Sequence, residues 1–575
     1  MEKRVLLAIV LSFVVLYGYQ AMFPPPKPQP KTAQTEAAPS TASESPLATP
    51  PVTAETPSSP AAAETAPPLV ADASERDVTF ENDAVTAVFT TRAGALKSWR
   101  LKKYHDDAGQ PLELVPHLVP AWTPRPFTLS VPDSGASATL AAALFKPGAD
   151  SVRVGSAPAS LTFDYTDANG LTAHKEFTFT PDSPYVITFS ATVKQGDREL
   201  VPSVVGGPGI GSGVVAATRS YNPPAQPIFY RDGSVSRIKE SKIAENASLD
   251  GTFGFGGVDD HYFLQAVVAA GQPIHVEYKA IDVPVVGSDN IVAHFVQWFV
   301  RYPAAPSGVR YFFGPKDFDI LASVDRDLVR SIDFGMFAAL VVPLLRALKW
   351  VNGFVGNYGW SIILLTVLIN LAMFPLRHKS VVSMRRMQEI QPEVKTIQER
   401  YAKLKMSDPA RQKMNAELMG LYRERGVNPA SGCVPMLLTL PVLFAFYSML
   451  SVAIELRGAP FVGWIHDLSI HDPMYITPVL MGLTQFVQTR MTPSTADPMQ
   501  QKMMMFMPII FMSMFLWAPS GLVLYWTTSN MWAIGQQLLT NRLIGAPKTR
   551  NVPPSAERRV KAVGGGKTEQ AKERK

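Results

Sequence analysis

Polar side chains such as Thr366, Asn370, Thr484, Gln485, Thr527 and Asn530 lie deep within apolar stretches that fill the C-terminal third of the chain. Hydrocarbon penalises unsatisfied polar groups, so such residues face a bundle interior or a water-filled cavity. Thr366 and Asn370 are four apart and share one helix face. Two uses fit the pair: hydrogen bonds between helices, worth about 1 kcal/mol each, or the wall of a hydrated groove. The pattern alone leaves both open. Directly after the first stretch, Arg377–Arg425 carries twelve Lys and Arg against six acids. A polar intramembrane surface beside a basic segment suits the handling of something that enters the membrane.

Other candidate chemistry fails on spacing. Gly564-Gly565-Gly566-Lys567-Thr568 has the ending of a phosphate loop, but its first glycine would fall at Lys561, and no strand precedes it. His466-Asp467 and His471-Asp472 repeat outside the apolar stretches and read as an interfacial loop with Trp464 rather than a metal site. The single cysteine, Cys433, rules out an internal disulfide framework and any cysteine-cluster metal site. Methionines cluster at Met499, Met503, Met504, Met505, Met507, Met512 and Met514. They suit either an adaptable apolar surface or ordinary packing.

Several elements must position these residues. Met1-Glu2-Lys3-Arg4 followed by an apolar run to Phe23 reads as an uncleaved signal anchor, residues 1–23, with its amino end inside. Residues 24–75, rich in Pro, Ala, Thr and Ser, read as an extended tether. Residues 76–320 alternate with period two, as in Lys175-Glu176-Phe177-Thr178-Phe179, and predict an all-β sandwich outside the membrane. Within 321–355, Arg346, Lys349 and Asn352 recur along one face of an apolar segment, which suits a helix lying in the interface. Were it to cross, the basic segment would fall outside, against the positive-inside bias.

Five later spans are expected at about Tyr358–Leu376, Cys433–Val452, Met474–Gln488, Met503–Trp517 and Leu522–Leu539, with both chain termini inside. Residues 377–430 read as a helical hairpin. Met387, Ile390, Val394, Ile397, Tyr401 and Leu404 form one stripe, and Met414, Leu418 and Leu421 form the other. Ser407-Asp408-Pro409 supplies the turn, and Pro392 a kink or restart. The basic tail, residues 546–575, suits sequence-independent attraction to phosphate, whether of lipid or RNA.

The motifs resemble the YidC insertase family in its long form. They include Tyr311-Phe312-Phe313-Gly314-Pro315-Lys316, Asn357-Tyr358-Gly359-Trp360-Ser361, Val427-Asn428-Pro429, Gly432-Cys433-Val434-Pro435, Trp464-Ile465-His466-Asp467-Leu468-Ser469, Asp497-Pro498-Met499-Gln500-Gln501-Lys502 and Pro519-Ser520-Gly521-Leu522 through Tyr525-Trp526. The resemblance covers essentially the whole chain and implies a five-span insertase core over 356–545. It also implies a non-enzymatic insertase and chaperone of the bacterial inner membrane, without cofactor, metal or nucleotide. Its expected partners are nascent membrane proteins, the Sec translocon, lipids and, through the basic tail, the ribosome, with no specific nucleic acid.

By the same resemblance Thr366, Tyr525 and Trp526 belong to a groove open to the cytoplasm and to lipid. The family places an arginine four residues after the threonine, where this chain has Asn370. Arg377, on the same face and about 10 Å nearer the cytoplasm, could supply part of that charge. A secondary transporter or channel is the competing class, but the spans hold no acids and no internal repeat.

Overall fold

The computed structural model describes residues 68–106, 108–116, 119, 123–211, 214–215, 225–239, 242–244, 248–284, 292–401, 410–427, 434–492 and 498–544. The expected anchor 1–23, most of the expected tether, the Ser407-Asp408-Pro409 turn and the tail 546–575 lie outside these residues.

The period-two segments form two packed sheets. In the larger, Leu171–Phe179 pairs antiparallel with Ala159–Asp167 on one side and Val186–Gln195 on the other. Val309–Pro315, Phe263–Pro284 and Ser248–Asp259 continue the sheet. The smaller is built on Asp77–Glu81, Val85–Thr90 and Ala95–His105. Alternation turns Phe163, Phe177, Phe179 and Phe189 into the core, where all are buried. Phe80 of the smaller sheet stacks on Phe179 at 3.9 Å, and the Trp99 indole donates to the Phe313 carbonyl at 2.9 Å, tying sheet to sheet. The domain starts ahead of the expected boundary at 76, because Pro68–Val70 pairs with the edge of Ala159–Asp167. A proline opening a short edge strand leaves no ladder bond unmade.

The same alternation carries Lys175 inward beside Phe177. It is fully buried, and its ammonium donates to the carbonyls of Ala93 (2.5 Å), Phe127 (2.7 Å) and Gly94 (3.3 Å) over the Phe145 ring. Ala93 and Phe127 both hold left-handed backbone, φ 57° and 68°, so the lysine braces two strained turns. Burial pulls the ammonium down to about 7 from 10.5. Between those values the unfolded chain holds a proton that the folded domain lacks, so this group makes unfolding free energy rise with pH across that window. Lys175→Met should orphan three carbonyls, cost about 2 kcal/mol at neutral pH and flatten that pH dependence. Calorimetry of the β-domain transition checks both effects; an unchanged transition would contradict them.

Helices follow the sheets, apart from α1, Ser134–Ala142, which lies within the β domain. Asp317 caps α2, Phe318–Val324, by accepting from the amides of Asp319 and Ile320. α3, Ala338–Val355, buries Val341, Leu345, Leu348 and Val351 and exposes Leu340, Trp350 and Phe354. Its polar stripe meets groups of the protein. Lys349 meets Asp319 at 2.5 Å, Glu455 at 3.1 Å and Asp317 at 3.5 Å, and Arg346 covers the Phe318 ring.

α4, Tyr358–Glu389, runs past the expected span end at Leu376 and through Arg377 as one helix. No strong breaker follows until Pro392, so the basic segment begins as an extension of the span. By length and composition both Gly335–Val355 and Tyr358–Glu389 could cross a membrane.

The basic segment from Ile390 forms its own compact unit. α5, Gln391–Arg400, restarts with Pro392 in its first turn, and α6 is Ala410–Glu424. Val394 and Leu418 are buried, Arg425 pairs with Glu393 at 2.7 Å, and Glu417 receives both Arg400 and Tyr401. The remaining helices are α7, Val434–Val452, α8, Ile476–Met491, α9, Pro498–Met514, and α10, Ser520–Ile544.

Candidate functional site

One cavity of about 520 Å³ opens among α4, α7, α8 and α10. α10 contributes Trp526, Ser529, Asn530, Ala533 and Gln537, spaced by three or four residues and therefore on one face. α8 contributes Gln485, Gln488 and Thr492 just beyond its end, on the same rule, α7 adds Leu440 and Leu443, and α4 adds Arg377 and Val381. Two aromatic side chains from the start of α10 set the inner wall. Tyr525 stacks on Phe446 of α7 with ring centroids 4.6 Å apart. Trp526 packs on Phe511 and Phe515, and its indole donates to Gln485 Oε1 at 3.0 Å. Asn530 donates to the Thr484 hydroxyl at 3.3 Å, tying α10 to α8.

The polar capacity of this wall exceeds what the protein uses. Gln488 Oε1 and Gln536 Nε2 are buried without a hydrogen-bond partner among the described residues, and both residues line the cavity. Buried polar atoms are nearly always paired with protein or water, so these two call for water or an incoming chain. Arg377 makes no ion pair among the described residues, so one cation faces the cavity with its charge uncompensated. Outside, Leu480, Leu483, Val487, Ile509, Ile510 and Leu538 are exposed, an apolar perimeter that matches lipid.

Thr366 and Asn370 are placed differently from the expected groove wall. They are 1% and 5% exposed and do not line the cavity. Thr366 Oγ1 donates to the Ile362 carbonyl at 2.6 Å, and Asn370 Nδ2 donates to the Thr366 carbonyl at 2.8 Å. Both spend a hydrogen bond on their own helix. They share a face with Arg377 but lie two or more turns deeper, where neighbouring helices close over them. The far end is sealed by the 455–473 loop: Ile465 and Leu468 are buried, and the Leu468 carbonyl accepts from the Gly521 amide at 2.9 Å. The cavity thus gathers Arg377, Tyr525 and Trp526 and leaves Thr366 and Asn370 in the packed region beyond.

Sequence reasoning overlooked Gln488, Ser529, Gln536 and Gln537. A signal existed: Gln485 with Gln488, and Asn530 with Gln537, repeat at helical spacing toward the ends of two spans. Gln488, Gln536 and Gln537 lie at or near the expected span ends, where polar residues are common, and Ser529 is a single hydroxyl in mid-span. Met503, Met504, Met505, Met507, Met512 and Met514 do not line the cavity, and all of these but Met512 are exposed. Asp472 is fully buried. It accepts from the Trp464 indole at 2.9 Å and from the amides of Met474 and Thr477. That is a loop clasp, and among the described residues no group of three His, Cys, Asp or Glu is placed to hold a metal.

A β-sandwich followed by a helical bundle with a polar cavity and an apolar perimeter defines a membrane protein with a large extramembrane domain. The family model described as 60Kd inner membrane protein matches residues 350–547, and that described as YidC periplasmic domain matches residues 77–347. A curated membrane protein insertase YidC of Geobacter metallireducens is 37% identical, with 96% of this chain and 100% of that protein covered. That of Pelobacter propionicus is 36% identical over 95% of this chain and 100% of its own length. A solved active YidC insertase, with its first transmembrane domain resolved, aligns with 82% of this chain and 94% of its own at 17% identity and a TM-score of 0.33. The sequence matches carry the assignment: the chain belongs to the YidC family of membrane protein insertases. It is an inner membrane insertase with a periplasmic β-sandwich domain.

Proposed function

We propose that the cavity is the client groove, and that Arg377, Tyr525 and Trp526 meet hydrophobic segments of nascent membrane proteins passing from cytoplasm to bilayer. The carrying observation is the uncompensated Arg377 beside unpartnered glutamine atoms within an apolar perimeter. A hydrated pocket lowers the cost of bringing polar flanks into the membrane, while the open apolar side lets the client's hydrophobic part leave into lipid. Thr366 and Asn370 act one layer further in, keeping the α4 face polar where the groove narrows. The chain crosses six times, with both termini in the cytoplasm. α3 lies in the periplasmic interface, and the basic tail attracts ribosomal or lipid phosphate. The β domain faces periplasmic partners, including Sec components.

Reconstitution tests this reading. Purified protein in liposomes should integrate a small phage-coat-type client without ATP while leaving ion and solute permeability unchanged. Solute flux without client integration would instead favour a transporter or channel.

The α5–α6 hairpin is proposed to capture clients before they enter the groove, on the strength of its basic charge and amphipathic arms. Deleting Gln391–Leu421 should leave the membrane bundle folded and lower insertion about tenfold, equivalent to about 1.4 kcal/mol of lost capture. Full insertion by that deletion variant would count against the hairpin's role.

A further inference from the structure

We propose that a cavity between the β domain and the start of α3 binds the headgroup of an anionic phospholipid of the outer leaflet. The cavity measures about 530 Å³, and its lining includes Arg237, Arg326 and Arg330 as well as Phe334, Ala338 and Val342. The three arginines are not equally committed. Arg237 is held by Asp259 at 2.9 Å and by the Ser331 carbonyl at 2.5 Å. Arg330 reaches Asp327 only at 3.4 Å and lies over the Tyr230 ring, with 55% of its side chain exposed. Arg326 is exposed and makes no ion pair among the described residues. The one acid in the lining, Asp333, spends Oδ1 on the Gly335 amide at 3.0 Å. Asp333 keeps its charge, so within the lining the two guanidinium forks of Arg326 and Arg330 outweigh one carboxylate and match the oxygens of a phosphodiester in pairs.

The depth of this cavity selects a lipid over a free anion. Gly335, on its rim, sits against Ser448 of α7: a Cβ added there would lie 3.7 Å from the serine hydroxyl. Phe337 stacks on Phe444 with centroids 5.9 Å apart. Ser448 is one turn, about 5.4 Å, from the end of α7 at Val452. On the topology proposed above, on which this inference rests, that places the rim where hydrocarbon gives way to headgroups. Beside the rim an apolar track is open, with Met336 89%, Phe444 48% and Leu340 42% exposed. A soluble phosphate would use the arginines and leave the track bare. A phospholipid uses both, with its charge in the cavity and its chains along Met336, Leu340 and Phe444.

The test is native mass spectrometry of the full chain released from micelles holding phosphatidylglycerol and phosphatidylcholine in equal amounts. Each Arg facing an anionic headgroup should contribute about fivefold in preference. The parent should therefore retain phosphatidylglycerol in clear excess, and Arg326→Gln with Arg330→Gln should lose that excess. The Arg326→Lys, Arg330→Lys pair keeps the charge and loses the forks, so its preference should fall between those of the parent and the Gln pair, which separates charge from folding. Equal retention of the two lipids by the parent, an undiminished preference in the Gln pair, or displacement of phosphatidylglycerol by equimolar inorganic phosphate would overturn the site. A spin label on Met336→Cys, in a Cys433→Ser chain, reports depth separately. A label in bulk water would refute the interfacial topology, and the site with it. A label at headgroup depth without lipid preference would refute the site alone.

Discussion

Arg377→Ala should slow insertion of clients with acidic translocated segments about tenfold and leave neutral clients within about twofold of the parent. Two unit charges about 4 Å apart attract by about 4 kcal/mol at an effective dielectric of 20 and by about 1 kcal/mol in bulk water. A partly hydrated groove falls between these limits, and about 1.4 kcal/mol already accounts for a tenfold change. Arg377→Lys should retain most of the rate. Asn370→Arg should be tolerated and, placed in the Arg377→Ala background, should restore part of the loss. An arginine at 370 shares the face of 377 two turns away and reaches the cavity only by displacing the neighbours that close over Asn370, so the rescue is partial. The measurement is insertion into proteoliposomes with client pairs differing only in translocated acids. Equal slowing of both client types would mean that Arg377 serves packing and not attraction.

The second large effect is expected at Lys349. This one ammonium faces Asp317 and Glu455, whose side chains are only 9% and 6% exposed, and the more open Asp319. Lys349→Met leaves two largely buried carboxylates without their cation. Breaking a buried pair from one side costs about 3–5 kcal/mol, and the partial exposure of Lys349 places its loss at the lower end of that range. The variant should show lower abundance in membranes and unfold several degrees earlier by thermal denaturation. Adding Glu455→Gln should recover part of the loss, because the orphaned charge goes with it. Removing only Arg76–Ala270 keeps all four clasp residues, so insertion should survive that much larger change. A stable, abundant Lys349→Met protein would show the clasp to be dispensable.

Much of the architecture was legible because burial imposes simple periods. Alternation around Phe177 read directly as a strand, whereas the burial of Lys175 on the same face came only with the structure, which supplies the three carbonyls that make that position tolerable. The apolar spans were readable from length, whereas the continuation of α4 beyond Leu376 was not. Charge suggested a boundary at Arg377, but charge alone does not stop a helix, and the first strong breaker is Pro392. The candidate site was half legible. Polar residues in apolar stretches stood out, but which of them share a cavity depends on how α4, α7, α8 and α10 rotate and close. That is a tertiary property. It separates Trp526 and Gln485, which meet at 3.0 Å, from Thr366 and Asn370, which turn to their own backbone.

Site-specific photocrosslinking of a ribosome-stalled client tests the groove most directly. Probes at Gln488, Ser529 and Gln537, all in the cavity lining, should capture the client's hydrophobic segment. Probes at Leu483 and Ile510, on the exposed perimeter, should capture mainly lipid, and a probe at Thr366 should give the client weakly or only late in insertion. Strong client capture at Leu483 or Ile510 with none at Gln488, Ser529 or Gln537 would contradict the groove.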